Sequence, residues 1–361
     1  MGTLVRMAPV TLAQRATRRT VRRVAHRVVG TGAHADSSVV AFRPQGRQSY
    51  ADTLRTLSEA SVDQCFNAFK DIDWDAPALA VAPDDDRWIL PLVDQIGAHP
   101  WYRTLPKERQ REIGRYRFAN ICKVGAQFEQ VLIAGISLHL IWARNGNPEF
   151  RYATHEVTEE THHTQMFQES VNRICPDVAG APLFFKMLSP LMALAGPIVP
   201  VGFLMGILAG EEPIDHLQKN VLRAGGTHPL VDRVMQIHVA EEARHIGFAH
   251  QYLEHHIPRL AGWERALIGV ATPLIMRALC DAIMRPSSAA RRDMGIPKQV
   301  AREIWWGQEE SRKALRDMFG DVRMLCDELG LRPGRTVWLW RALGIEGRPS
   351  RFRSQPTNAA A

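Results

Sequence analysis

Between residues 50 and 345, apolar positions recur at three- and four-residue spacing almost throughout, the period of helices packed against a core, and strand-like alternation is scarce. Long periodic stretches run over 107–143, 150–174, 201–223, 229–256, 262–285 and 297–329. Turn chemistry separates them in "RNGNPEF" (144–150), "CPDVAGAP" (175–182), "RAGGTHP" (223–229) and "RPSSAARRDMGIP" (285–297). The pattern predicts an all-α chain with one helical domain over 46–346, whose bundle core spans about 110–255. A basic arm (1–45) precedes it, and a tail (347–361) too poor in apolar residues to pack follows.

One run, "LFFKMLSPLMALAGPIVPVGFLMGILAG" (183–210), is nearly all apolar and long enough to cross a bilayer. Lys186, the prolines Pro190, Pro197 and Pro200, and the Glu211–Glu212 pair at its end favour two buried helices with a Pro-rich break.

Four of the apolar stripes carry acids. His238, Glu242 and His245 fall at i, i+4 and i+7, in line with Val231, Val234, Phe248 and Tyr252. Glu160 and His163 share a face with Ala153, Val157 and Phe167. Glu129 lies in line with Cys122, Gly125, Leu132 and Ile136, and Glu211 follows Leu204, Ile207 and Leu208. A carboxylate on a core-facing stripe is expensive to desolvate unless a positive partner meets it.

The spacing identifies the partner. Glu129 to Glu160 and Glu211 to Glu242 are both 31 residues, so the chain contains two acid…ExxH halves of equal length. Each half reads as an antiparallel helix pair, and two packed pairs form a four-helix bundle with one Glu from each of two helices and a Glu-x-x-His from each of the other two. Four carboxylates balance two divalent cations, which makes the burial neutral. Carboxylate and imidazole donors without thiolates suit iron, or manganese, better than zinc.

His238, one turn before Glu242, can reach the same metal; otherwise it is a core histidine bonded to a carboxylate. Glu159 and Glu241, which precede the ligand acids, are placed to accept hydrogen bonds from the ligating imidazoles. Glu212 competes with Glu211, and the equal spacing selects Glu211. No Walker loop, dinucleotide fingerprint, GxSxG or convincing Ser/His/Asp arrangement occurs, so no catalytic residue beyond the metal ligands is expected.

The set Glu129, Glu160, His163, Glu211, His238, Glu242 and His245 resembles, residue by residue, the ligands of the di-iron arylamine N-oxygenases, the p-aminobenzoate N-oxygenase (AurF) family. His238 is the feature that separates this pattern from ordinary ferritin-like proteins. The resemblance implies a ferritin-like bundle with two iron ions that reduce O2 to a bridging peroxo species, which attacks the electron-rich nitrogen of a small or carrier-bound organic substrate. It also implies an external electron donor, a ferredoxin or reductase, and a homodimer. No arginine near Glu129 stands ready to bind a carboxylated arylamine. The same bundle supports hydroxylation, desaturation and other O2 chemistry, so membership does not fix the reaction.

Charge and cysteine usage bound the alternatives. The net charge of +7 resides in seven arginines between Arg6 and Arg27, leaving residues 31–361 formally neutral, without a footprint for nucleic acid. The arm suits a flexible tail, and less well an anionic membrane contact or organelle presequence. Five scattered cysteines without a CxxC fit a reduced, cytoplasmic compartment. The competing readings are a ferritin-like iron-handling protein, which needs about half this length, and a membrane-associated di-iron hydroxylase or desaturase.

Overall fold

The computed structural model describes residues 49–351 and Arg353; the basic arm lies outside them. Five long helices and two shorter ones, α1 and α4, frame the site: α1 (Tyr50–Asp63), α2 (Lys107–Leu140), α3 (Pro148–Ile174), α4 (Leu183–Ile198), α5 (Pro200–Ala224), α6 (Pro229–His256) and α7 (Gly262–Met284). Five short helices follow: α8 (Ser288–Asp293), α9 (Lys298–Ile304), α10 (Glu309–Asp317), α11 (Gly320–Glu328) and α12 (Val337–Ala342). No strand occurs among the described residues, so the all-α expectation holds.

The helix ends lie where the turn residues predicted them. Asn147 caps α3 by accepting from the Glu149 N–H, with Pro148 in the first turn. His228 caps α6 through the Leu230 N–H ahead of Pro229, and Gly225, at φ +64°, ends α5. Both connections are short, so α2 with α3 and α5 with α6 form two helix hairpins, which pack on each other as a four-helix bundle. Outside it, α1 covers α3 and α6, α4 lies along α2, and α7 lies along α5. The bundle interior is continuous, from Cys122, Leu132 and Ile136 through Phe167 and Leu204 to Val234 and Phe248.

Two expectations need correction. The stretch 297–329 is three helices, α9 to α11, instead of one. The chain turns at Trp306, held at φ +73° with its Nε1 donating to Asp281 Oδ1 at 2.7 Å. At Gly307 a Cβ would sit 2.2 Å from the Arg302 carbonyl oxygen, so the turn requires a residue without one there. The run 183–210 does break at Val199 into two helices, but only α5 is buried. α4 meets α2 through Phe185, Ala193 and Gly196, while Leu183, Phe184, Met187, Leu188 and Leu191 face outward. Gly196 approaches Gly135 so closely that a Cβ would lie 2.2 Å from its carbonyl oxygen, so a narrow seam suffices to seat the helix. Two stretches, Lys107–Leu140 and Gly262–Asp293, are long and apolar enough to cross a membrane; 50% and 44% of their apolar windows are buried against other helices.

Candidate metal centre

The bundle carries all seven sequence-predicted residues into its interior: Glu129 on α2, Glu160 and His163 on α3, Glu211 on α5, and His238, Glu242 and His245 on α6, none more than 6% exposed. Close helix approach makes this possible. Gly210, directly before Glu211, packs against the ring of Phe128, directly before Glu129, where a Cβ would lie 2.1 Å from the ring. The missing side chain lets α5 bring its acid to the level of the α2 acid.

Six of the seven converge in two overlapping groups whose potential ligand atoms lie within 4.8 Å of one another. One comprises Glu129, His163, His238 and Glu242; the other comprises Glu160, His163, Glu242 and His245. Nδ1 of His163 lies 3.2 Å from Glu160 Oε2 and 3.6 Å from Glu242 Oε1, and Nε2 of His238 lies 3.2 Å from Glu129 Oε1 and 3.4 Å from Glu242 Oε1. Nδ1 of His245 and Oε1 of Glu160 stand 2.9 Å apart yet are misaligned for a hydrogen bond. Two donor atoms so close without bonding each other suit a common third point, as ligands of one ion do.

Glu211 stands outside both groups but lines the same cavity as Glu129, His238 and Glu242, with both its oxygens buried and unpartnered. Its competitor Glu212 turns away and takes Nε2 of His250 at 2.7 Å. Further buried oxygens without hydrogen-bond partners are Glu129 Oε2 and Glu242 Oε2. Buried polar atoms are ordinarily satisfied, so this concentration of orphans at one point fits a cation held there.

The electrostatics agree with that reading. Burial, reinforced by neighbouring acids such as Glu160 and Glu242, raises the carboxyls of Glu129 and Glu211 well above the usual range. Burial would do the same to Glu160, but the adjacent His245 and His163 outweigh it and hold Glu160 at about 2. Burial also opposes protonation of His163 and His245, yet the acids around them raise both well above the ordinary imidazole value. His238, by contrast, is pushed by burial down to about 3 and is neutral, the form that binds metal.

The far nitrogens of the histidines are all occupied. Nε2 of His163 meets Glu241 Oε2 at 2.9 Å and Nε2 of His245 meets Glu159 Oε2 at 2.7 Å, so the two acids anticipated as imidazole partners serve the histidine of the opposite helix. Sequence reading missed two supports. Arg244 Nη2 donates to Glu159 Oε1 at 2.8 Å and lies 3.4 Å from Glu241 Oε1, linking the two outer acids through one cation. Gln218 Oε1 accepts from His238 Nδ1 at 2.9 Å, leaving Nε2 to face the centre. A signal for Gln218 existed, since it lies two turns after Glu211 on the same stripe.

Above the centre, the cavity is walled by Ile121, Phe128, Leu132, Phe167, Ile214 and Ile283. Its lining contains no lysine or arginine; the charged groups in it are Glu129, Glu160, Glu211 and Glu242.

Two helix hairpins that each contribute a lone acid and an ExxH to one buried point define a bundle of the ferritin-like class. A family model described as P-aminobenzoate N-oxygenase AurF matches residues 47–330, and the chain belongs to that family. It is also 51% identical over 308 residues to the uncharacterized proteins Mb0909 of Mycobacterium bovis and Rv0885 of Mycobacterium tuberculosis, an alignment covering 85% of this chain and 91% of each relative. The family is one of di-iron helical oxygenases, so the chain is assigned to the oxidoreductases at that level.

Proposed function

We propose that the protein is a non-haem di-iron oxygenase that oxygenates the nitrogen of an apolar amine, small or carrier-bound, with electrons from an external donor. Glu129, Glu160, His163, Glu211, His238, Glu242 and His245 hold the metal pair. The observation that carries this reading is the convergence of buried, unpartnered carboxylate oxygens with the Nδ1 atoms of His163 and His245 in a bundle whose family is di-iron. The donor set fits iron well and manganese next, since it holds oxygen and imidazole nitrogen without sulfur.

When bound, the metal pair supplies redox activation of O2, which the protein's own side chains cannot perform. The chain's contribution is to hold and orient. His163 and Glu242 belong to both clusters and Glu129, His238, Glu160 and His245 to one each, so these six would hold the pair, with Glu211 reaching it from the cavity it shares with Glu129, His238 and Glu242. Glu241 and Glu159 fix the ring planes of His163 and His245, and Gln218 fixes that of His238. The apolar wall excludes water from the reacting nitrogen and presents no cation to a substrate carboxylate. A cytoplasmic, homodimeric oxygenase without nucleic-acid partners completes the proposal.

Elemental analysis of the purified full-length protein beside Glu242→Ala tests it first. About two irons per chain, lost in the variant, and O2 uptake by the reduced protein are expected. Little metal in both proteins defeats the reading, as does a cage-sized assembly that accumulates iron without consuming reductant.

A further inference from the structure

The centre repeats in the chain with an offset of 82 residues: Glu129 corresponds to Glu211, Glu160 to Glu242, His163 to His245, and the outer acids Glu159 and Glu241 to each other. His238 therefore also has a counterpart. It is Glu156, one turn before Glu160 on α3 as His238 is one turn before Glu242 on α6.

Glu156 is 1% exposed, and neither of its carboxylate oxygens has a hydrogen-bond partner. A structural acid in a bundle core would be paired with a donor. Glu156 lies on α3 one turn before Glu160, on the helix that also brings His163 to the centre. His238 stands 3.2 Å from Glu129, and the internal two-fold relation assigns Glu156 to the other end, with Glu211 and His245.

We propose that Glu156 is an eighth ligand of the metal pair, binding the ion held by Glu211 and His245. The proposal rests on the dinuclear reading above. It makes the two ions chemically unequal. The ion beside Glu129 receives two imidazoles and one outer carboxylate, whereas the ion beside Glu211 receives one imidazole and two outer carboxylates.

Anaerobic titration of the metal-depleted full-length protein with Co(II), read by its visible absorption and by bound metal per chain, tests the assignment. Wild type is expected to bind two ions. Glu156→Gln is expected to keep one site unchanged and weaken the other by about tenfold or more, since loss of even an outer partner costs on that order. Glu156→His, which restores a ligand, is expected to bind both ions with an altered spectrum at one of them. If Glu156→Gln binds both ions with wild-type affinity and spectrum, Glu156 is not a ligand while the dinuclear reading stands. If Glu156→Gln fails to fold, Glu156→His decides, because an unaltered spectrum there overturns the assignment. A wild-type protein that binds fewer than two ions overturns the dinuclear reading and this proposal together.

Discussion

Nε2 of His245, on α6, lies 2.7 Å from Oε2 of Glu159, on α3, and the reciprocal contact joins His163 of α3 to Glu241 of α6. Each hairpin thus orients the histidine of the other, and Arg244 lies between the two outer acids. Holding the ring by its far nitrogen leaves Nδ1 with its lone pair toward the centre. Glu159→Gln and Glu241→Gln are therefore expected to keep the fold and lower metal affinity by roughly 10–100-fold, without abolishing binding. Retention of iron during dialysis against graded chelator measures this; wild-type retention in both variants would remove the outer acids from the site.

Glu211 and Glu212 are neighbours with opposite surroundings, one facing the acids of the centre and the other bonded to His250. Glu211→Ala is expected to lose metal with little change in the stability of the metal-free protein. Glu212→Ala should retain both irons and lose about 1–3 kcal/mol of stability, because it leaves a buried imidazole without its carboxylate. Iron content and urea unfolding of the two variants separate these outcomes, and metal loss in the second variant alone would exchange their roles.

His238→Ala is expected to retain iron, because the other ligands remain, but to lose turnover. The neutral, deeply buried imidazole is held by Gln218 through Nδ1 and aims Nε2 at the centre. Gln218→Leu should act in the same direction more weakly, by freeing the ring. The check is the initial rate of O2 consumption per bound iron, and full activity in His238→Ala would make it a structural residue.

How much of this could be read from the chain depends on the range of the interaction. Helix periodicity and capping are local, so the ends at Asn147, Gly225 and His228 were legible, and the matched spacing singled out Glu211 before any packing was known. The chain turns at Trp306, where Gly307 fits against the Arg302 carbonyl, and α4 is seated along a narrow seam where Gly196 meets Gly135. Both depend on close approaches that periodicity does not encode. Arg244 resembled any charged residue between two candidate ligands until α3 placed Glu159 beside it. Glu156 lies outside the ExxH spacing and is visible only when the two halves are superposed.

A pH dependence follows from His216 on α5. Burial lowers its pKa from 6.5 to about 4; Asp317 opposes the shift, and the nearby cation Arg223 adds to it. The folded pKa is below the unfolded one, so this group's contribution is fully present above about pH 6.5 and is lost as pH falls toward 4. Because the ring is partly exposed, the loss is about 2 kcal/mol, less than the full shift implies. Urea unfolding of metal-free wild type and His216→Gln at pH 7 and pH 5 should show a smaller pH difference in the variant. Equal differences would assign the acid sensitivity to other groups.

The last expectation concerns substrate charge. The cavity over the centre measures about 30 Å³, so an arylamine must part its walls to enter, and a carboxylated one would set its anion among Ile121, Phe128, Leu132 and Phe167, with no lysine or arginine in the lining to receive it. Leaving a carboxylate desolvated and unpaired is more costly than any gain from added contact area. A neutral arylamine, or the ester of p-aminobenzoate, is therefore expected to be oxygenated with kcat/KM at least about tenfold higher than p-aminobenzoate itself, a difference of about 1.4 kcal/mol. Single-turnover assays of the reduced, iron-loaded protein with the acid and its methyl ester decide the point. Preference for the free acid would require a cation from the residues outside this cavity, and would refute an apolar pocket as the seat of the substrate.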